Sequence, residues 1–161
     1  MSPTKQYCTF YLDSYLFGIE ISRVQEVIQR LDLTEVPLSP KVVRGLMNLR
    51  GQIVITLDLR RQLELGECPP DVTQMNVVVR NGEDAVSLLF DGIGEVVQVS
   101  EETFERPPET LRGRVRSVIT GVHKLDTHLM HVLETERACD VTEWTERPDG
   151  VHKATFREKN A

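Results

Sequence analysis

Apolar and polar residues alternate with a period of two along most of this chain, the signature of half-buried strands. Cys8, Phe10 and Leu12 share one face, and Phe17, Ile19 and Ile21 share another after a turn at Asp13-Ser14. Ile53, Ile55, Leu57 and Leu59 line one side of a further strand, with Val54, Thr56 and Asp58 on the other. Asn81-Gly82 stands between Val77–Val79 and Val86–Phe90, a hairpin signal because tight turns need residues that accept positive φ. Helical signals are short: Ser22 predicts a cap for one turn through Val24-Gln25, and 40–43 and 101–104 predict two more. Residues 65–71, with Pro69-Pro70, read as a connection. Beyond Asp140 the period is lost, and residues 140–161 are expected to form a mobile polar tail. Trp144, the only tryptophan, is expected to anchor that tail rather than to contact a partner.

The pattern repeats. Shifted by 76 residues, Gly45 to Asp58 lies without a gap on Gly121 to Glu134, so that Gly45 meets Gly121, Leu57 meets Leu133 and Asp58 meets Glu134. Shifted by 69, Cys8–Phe10 lies on Val77–Val79 and Phe17–Ile28 on Val86–Val97, with Glu26 on Glu95. The growth of the shift from 69 to 76 places a seven-residue insertion around Phe104–Pro108. The chain therefore reads as one unit over 7–139, made of two similar lobes, about 7–66 and about 75–139. Lobes of ~65 residues bury only ~60% of their unfolded surface and gain from packing on each other. Many short strands in two sets predict an all-β fold of two small antiparallel barrels with short helical turns, since closure removes sheet edges.

Charged residues are 27% and hydrophobic residues 40% of 161, which suits a globular protein, and no apolar run approaches a membrane span. With no apolar leader core, the expected compartment is cytoplasmic. Cys8, Cys68 and Cys139 have no metal-like spacing and read as free thiols. A net charge of −6 argues against a nucleic-acid partner, and Arg112, Arg114 and Arg116 read as a solvated face. Asp58, Asp91 and Asp126 invite a paired-carboxylate hydrolase, which requires a strongly raised carboxyl in one cleft; strand-end carboxylates accepting turn N–H bonds are the plainer reading. His123, His128 and His131 do not share one strand face, so no metal is expected. No phosphate-binding glycine loop, nucleophilic arrangement or cofactor motif is present, so no enzyme and no cofactor are expected. Recognition remains. Arg50, before Gly51 at a hairpin tip, is either a solvated turn residue or an anchor with five donors in a rigid fork. Glu26 is positioned to orient it through a bidentate pair. Asp126 replaces Arg50 in the second repeat, which singles out the first.

At these residues the chain resembles the CheW family, the coupling proteins of bacterial chemotaxis, over about Tyr7 to Ala138. The strongest piece runs from Gly45 through Asn48-Leu49-Arg50-Gly51 to Asp58-Leu59-Arg60. It is joined by Val24–Val27, Val36-Pro37 with Pro40, Phe90-Asp91-Gly92 with Glu95-Val96, and Ile119-Thr120-Gly121 with Leu125-Asp126. Ile55 and Ser87 depart from residues usual in the family, proline and glycine. The resemblance implies two five-stranded SH3-like barrels around a shared groove and no catalysis. It implies an adaptor between the cytoplasmic tips of chemoreceptors and the regulatory domain of a CheA-type histidine kinase. Val24, Glu26, Gly45, Arg50 and Gly51 match partner-binding positions, and Asp58, Asp91 and Gly121 match structural ones. With no receiver or kinase sequence attached, a free-standing coupler is expected. The alternative is a small-barrel module binding a peptide or small ligand in the groove, outside chemotaxis.

Overall fold

The computed structural model describes residues 3–29 and 32–142; the expected tail beyond 142, Trp144 included, lies outside the described residues. The strands are β1 (Thr4–Leu12), β2 (Tyr15–Glu20), β3 (Val24–Ile28), β4 (Val43–Leu49), β5 (Gln52–Asp58), β6 (Met75–Asn81), β7 (Asp84–Phe90), β8 (Gly92–Ser100), β9 (Phe104–Glu105), β10 (Ile119–Lys124) and β11 (Leu129–Leu133). Short helices α1 (Leu59–Gln62), α2 (Arg114–Val118) and α3 (Thr135–Ala138) and two 3-10 turns, Ile21–Arg23 and Glu101–Thr103, complete the described chain. The all-β class and the short helical turns follow the sequence pattern. Two positions differ. The turn expected after a Ser22 cap lies two residues earlier, over Ile21–Arg23 with Glu20 at the cap position, so Val24 and Gln25 are strand. Residues Pro40 to Val43 make a single turn, with Val43 N–H donating to the Pro40 carbonyl at 2.9 Å.

The strands form two sheets, one of six in the order β8-β1-β2-β11-β10-β9 and one of five in the order β3-β6-β7-β5-β4. The duplication is visible strand by strand: β1 to β5 correspond to β6, β7, β8, β10 and β11. Even the ladders correspond. Parallel β5 and β7 pair Thr56 with Ser87, and parallel β11 and β2 pair Val132 with Gly18, the same register displaced by 76 and 69. Asp58 N–H donates to the Val42 carbonyl at 2.7 Å, and Glu134 N–H to that of Val118 at 2.7 Å.

The sheets do not follow the segments 7–66 and 75–139. Each sheet takes the first two strands of one repeat and the last three of the other: β6 and β7 join β3 to β5, while β1 and β2 join β8, β10 and β11, with β9, from the inserted segment, added as the sixth strand at the edge. The three residues of the first 3-10 turn carry the chain from one sheet to the other. This exchange has a physical rationale in lobe size. The largest core cluster draws Phe10, Leu12 and Phe17 from one sheet and Val77, Leu88 and Phe90 from the other. Two repeats too small to bury a core alone thus share one.

The expected closed antiparallel barrels are corrected on two counts. Each sheet contains one parallel ladder, because the exchanged strands meet side by side without a hairpin between them. Among the described residues neither sheet closes: no ladder joins β3 to β4, or β8 to β9. The five-stranded sheet instead curls around Met47, Leu49, Val54 and Val78, and the six-stranded one around Tyr7, Leu16, Met130 and Val132. The β6–β7 turn is also one residue later than the Asn-Gly signal indicates. Asn81 pairs with Asp84, so Gly82-Glu83 is the loop, with Gly82 at φ 66°. Pairing Val79 with Val86 keeps both in the core, and a one-residue slip would turn every side chain of the strand outward.

Candidate functional site

The β4–β5 hairpin closes on the pair Leu49 and Gln52, leaving Arg50-Gly51 as a two-residue turn. Their φ values, 50° and 87°, are those of a type I′ turn, whose twist matches the flanking strands. Arginine is an unusual occupant of that first position, where asparagine is preferred. Asn48 supports it: its side-chain oxygen accepts the Gly51 N–H at 2.8 Å. The backbone thus aims the Arg50 side chain from a rigid tip.

Glu26 on β3 receives it. Arg50 Nη1 donates to Glu26 Oε1 at 2.9 Å and Nη2 to Oε2 at 2.6 Å, the bidentate geometry expected from the sequence. The Glu26 side chain is 21% exposed and that of Arg50 74%. The guanidinium is therefore held on one side by a half-buried carboxylate and open to solvent on the other. Because β3 and β4 are opposite edges of the five-stranded sheet, this ion pair crosses the seam that no ladder closes. An isolated bridge between Thr34, in the β3–β4 connection, and Leu46 lays that connection along β4.

Val24 and Gly45 lie on the two edge strands so joined. Val24 is half-buried and packs against the main core. At Gly45 the β4–β5 register shifts, and a Cβ there would stand 2.7 Å from the Thr34 carbonyl oxygen. Gly45 therefore lets the β3–β4 connection lie on β4, which is an architectural need. Gly45→Ala is expected to lose ~1–3 kcal/mol, read as a lower midpoint in urea; an unchanged midpoint would show that the connection yields freely.

The three structural positions serve the scaffold. Asp58 caps α1 by accepting the Arg61 N–H at 3.3 Å and stands 3.5 Å from both Arg44 and Arg61. Gly121 lies under the Phe104 ring and the Glu105 carbonyl. Asp91, between β7 and β8, accepts the Asp13 N–H at 2.8 Å, Gln74 Nε2 at 3.1 Å, and Arg60 Nε and Nη2 at 3.0 and 2.6 Å. Arg60, whose side chain is 4% exposed, also donates to Asp13 and to the carbonyls of Gly66 and Glu67. Sequence reasoning missed this arginine. The available signal was its place two residues after Asp58, and Asp91 as an acid in want of a partner. Its repeat equivalent is Glu136 and that of Asp91 is Ser22, so the lock has no twin. Burial raises the Asp91 carboxyl, but the Arg60 hydrogen bonds and those of Asp13 and Gln74 outweigh it and hold it below the usual carboxylate range.

The hydrolase reading required the opposite. Asp58 and Asp91 are engaged by different arginines, Asp126 is on an exposed turn, and Asp91 is lowered rather than raised. The histidines are likewise dispersed. His123 is buried between Tyr7 and Phe104, at ring distances of 5.7 and 5.3 Å, with Nδ1 2.8 Å from Thr103 Oγ1. Burial holds its pKa below the ordinary value. His131 Nδ1 donates to the Leu16 carbonyl at 3.1 Å, and His128 lies in an exposed turn. Cys8, Cys68 and Cys139 are free thiols, and burial pushes Cys139 up to about 12. Among the described residues no helix is long and apolar enough to cross a membrane.

Comparison with known proteins agrees with this geometry. A family model described as the CheW-like domain matches residues 6–143. The chain is 31% identical over 136 residues to a chemotaxis protein CheW of Treponema pallidum, covering 82% of this chain and 80% of that protein. It is 26% identical to one of Klebsiella aerogenes, with 83% and 80% covered. Among solved structures, the scaffolding protein TtCheW from Thermoanaerobacter tengcongensis superposes with a TM-score of 0.78 at 24% identity, over 88% of this chain and 91% of that one, and shares the fold.

Proposed function

We propose, from the premise that this chain belongs to the CheW-like domain family, that it is a non-enzymatic adaptor in a cytoplasmic chemosensory array. It couples chemoreceptor tips to the regulatory domain of a CheA-type histidine kinase. The observation that carries the reading is the Arg50 guanidinium, fixed by Glu26 at the end of a rigid hairpin and otherwise facing solvent. A bidentate pair takes two of the five N–H donors of an arginine and leaves the rest for an acceptor on a partner. Such a preordered anchor loses little side-chain freedom on binding, which is where affinity is otherwise spent. Val24, Glu26, Gly45 and Gly51 contribute by shaping and orienting that tip. Two related sheets offer two faces, and a protein engaged at both gains from the high effective concentration within an array.

The family supports the adaptor over a peptide- or ligand-binding module outside chemotaxis, as does the placement of Asp58 and Asp91 in scaffold contacts. The test is binding of the full chain to a CheA-type regulatory domain and, separately, to a receptor cytoplasmic fragment, by isothermal titration. Saturable binding to both is expected. Binding to neither by the folded protein would remove the adaptor reading.

A further inference from the structure

One cavity separates the two repeats. It measures about 550 Å³ and has Leu33, Arg44, Gln74, Asn76 and Leu89 among its lining residues. The counterparts of Gln74, Asn76 and Leu89 are Lys5, Tyr7 and Glu20. In that copy the space is taken. Tyr7 is 3% exposed and packs with Leu16, Met130 and Val132. Glu20 pairs with Tyr7 across the β1–β2 ladder, and Lys5 stands 3.2 Å from Glu20. Gln74, Asn76 and Leu89 supply neither a ring nor an ion pair, and the cavity lies at these three residues. Its floor is also polar where the twin is apolar. Thr56, Ser87 and Asn76 share the face that carries Val54 and Val78, and each is at most 3% exposed. Their counterparts are Val132, Gly18 and Tyr7. Ser87 Oγ donates to Asn76 Oδ1 at 3.1 Å, which uses the amide oxygen and leaves the N–H donors of Asn76 to the cavity. Thr56, paired with Ser87, has a buried hydroxyl without a hydrogen-bond partner among the described residues. Buried polar groups are nearly always paired, so a polar floor of this kind calls for a polar group brought from outside.

Charges of both signs line the same cavity. Arg44, whose side chain is 45% exposed, is joined there by Asp32 and Glu35. We propose that the cavity binds a free aromatic amino acid with a hydroxyl on its ring, which takes the place that Tyr7 fills in the twin. The ring lies against Leu33 and Leu89, and its hydroxyl accepts an Asn76 N–H. Its carboxylate meets Arg44, and its ammonium meets Asp32 or Glu35. Arg44 stands 3.5 Å from Asp58, a long contact that leaves the fork of donors to a better-placed carboxylate. The volume is ordinary for a small ligand, and a few polar groups set in apolar walls suffice to orient one. The site belongs to one sheet rather than to a groove between lobes, and Arg44 is at the other end of β4 from Arg50. It adds to the adaptor role and does not depend on it.

The test uses the full chain with L-tyrosine as the probe, by isothermal titration and saturation-transfer NMR up to the solubility of the amino acid. Saturable binding at one site is expected. L-phenylalanine, which lacks the hydroxyl, should bind at least ~10-fold more weakly, because a site that pairs a hydroxyl discriminates against its absence. Arg44→Gln should weaken L-tyrosine at least ~10-fold through loss of the charge-assisted bond, with far-UV circular dichroism unchanged. Asn76→Tyr, which rebuilds the filling of the twin, should abolish binding. Asn76→Leu serves if that variant fails to fold, and it should erase the preference for tyrosine over phenylalanine. Failure of L-tyrosine to saturate the unmodified protein would overturn the proposal. So would equal affinity for phenylalanine, or an affinity that Arg44→Gln leaves unchanged.

Discussion

Arg60→Ala is expected to be the most damaging single substitution in the described chain, at a cost of ~3–5 kcal/mol. The side chain is almost fully buried and holds three separate parts of the molecule: the β1–β2 turn through Asp13, the link between β7 and β8 through Asp91, and the connection after α1 through the Gly66 and Glu67 carbonyls. Truncation leaves the Asp91 carboxylate, itself 11% exposed, without its cation. Urea unfolding would show the midpoint falling with the slope unchanged. The double variant Arg60→Met with Asp91→Leu should recover much of the loss, because the penalty arises from an unpaired buried charge rather than from the absence of an ion pair. The pH dependence has a definite sign. In the unmodified protein the Asp91 pKa is lower folded than unfolded. Its contribution is therefore full above the ordinary carboxylate pKa of about 3.9 and is lost as pH falls through the folded value. Without Arg60, burial dominates and the folded pKa rises above the unfolded one. The stability gap between the two proteins should then narrow as pH is lowered from neutrality. A gap that stays constant with pH would show that Asp91 is not the group responsible.

Arg50→Glu is expected to have the converse profile. Binding to partner should fall ~30-fold or more, as at an interface hot spot, while the thermal midpoint barely moves. The small effect on stability follows from exposure: the side chain is 74% exposed, and ion pairs of that kind contribute little to folding. The large effect on binding follows from charge reversal beside Glu26, which leaves two carboxylates at the proposed docking point in place of a fixed cation. Arg50→Lys should lie between the two, since lysine keeps the charge but not the planar fork. Titration calorimetry with the kinase regulatory domain and the receptor fragment would also assign Arg50 to one partner or both. A large fall in thermal stability would show instead that the seam between β3 and β4 depends on this pair.

Much of this was legible in the sequence because strands write their buried face directly. The period of two grouped Phe10 with Leu12 and Phe17 with Ile19, all buried. On β5, by contrast, it set the apolar face at Ile53 and Ile55, whereas Val54 opposite them is the fully buried residue and Ile53 is exposed. The displaced copies at 69 and 76 located nearly every corresponding strand. The Arg50–Glu26 pair was legible too, from one cation at a tight turn and one acid on a neighbouring strand. The exchange of strands between sheets was not. Alternation states which side of a strand is buried, and it is silent about which strand lies beside it. Thr56 pairs with Ser87 across the two repeats, a contact that no local pattern encodes. The parallel ladders were hidden for the same reason. Helices α1 and α3, of four residues each, are too short for a period of 3.6 to register, although Asp58 and Glu134 mark both starts as caps. Arg60 escaped notice because a buried arginine looks like a surface one until its partners are placed, and they come from residues 13, 66, 67 and 91.

The central claim is that a duplicated, strand-exchanged β scaffold presents one preordered cation for docking. Its most direct measurement is co-elution of the full chain with a CheA-type regulatory domain on size exclusion, beside the same experiment with Arg50→Glu. A complex with the unmodified chain and separate peaks with the folded variant are predicted. Separate peaks for both, or an undiminished complex with the variant, would contradict it.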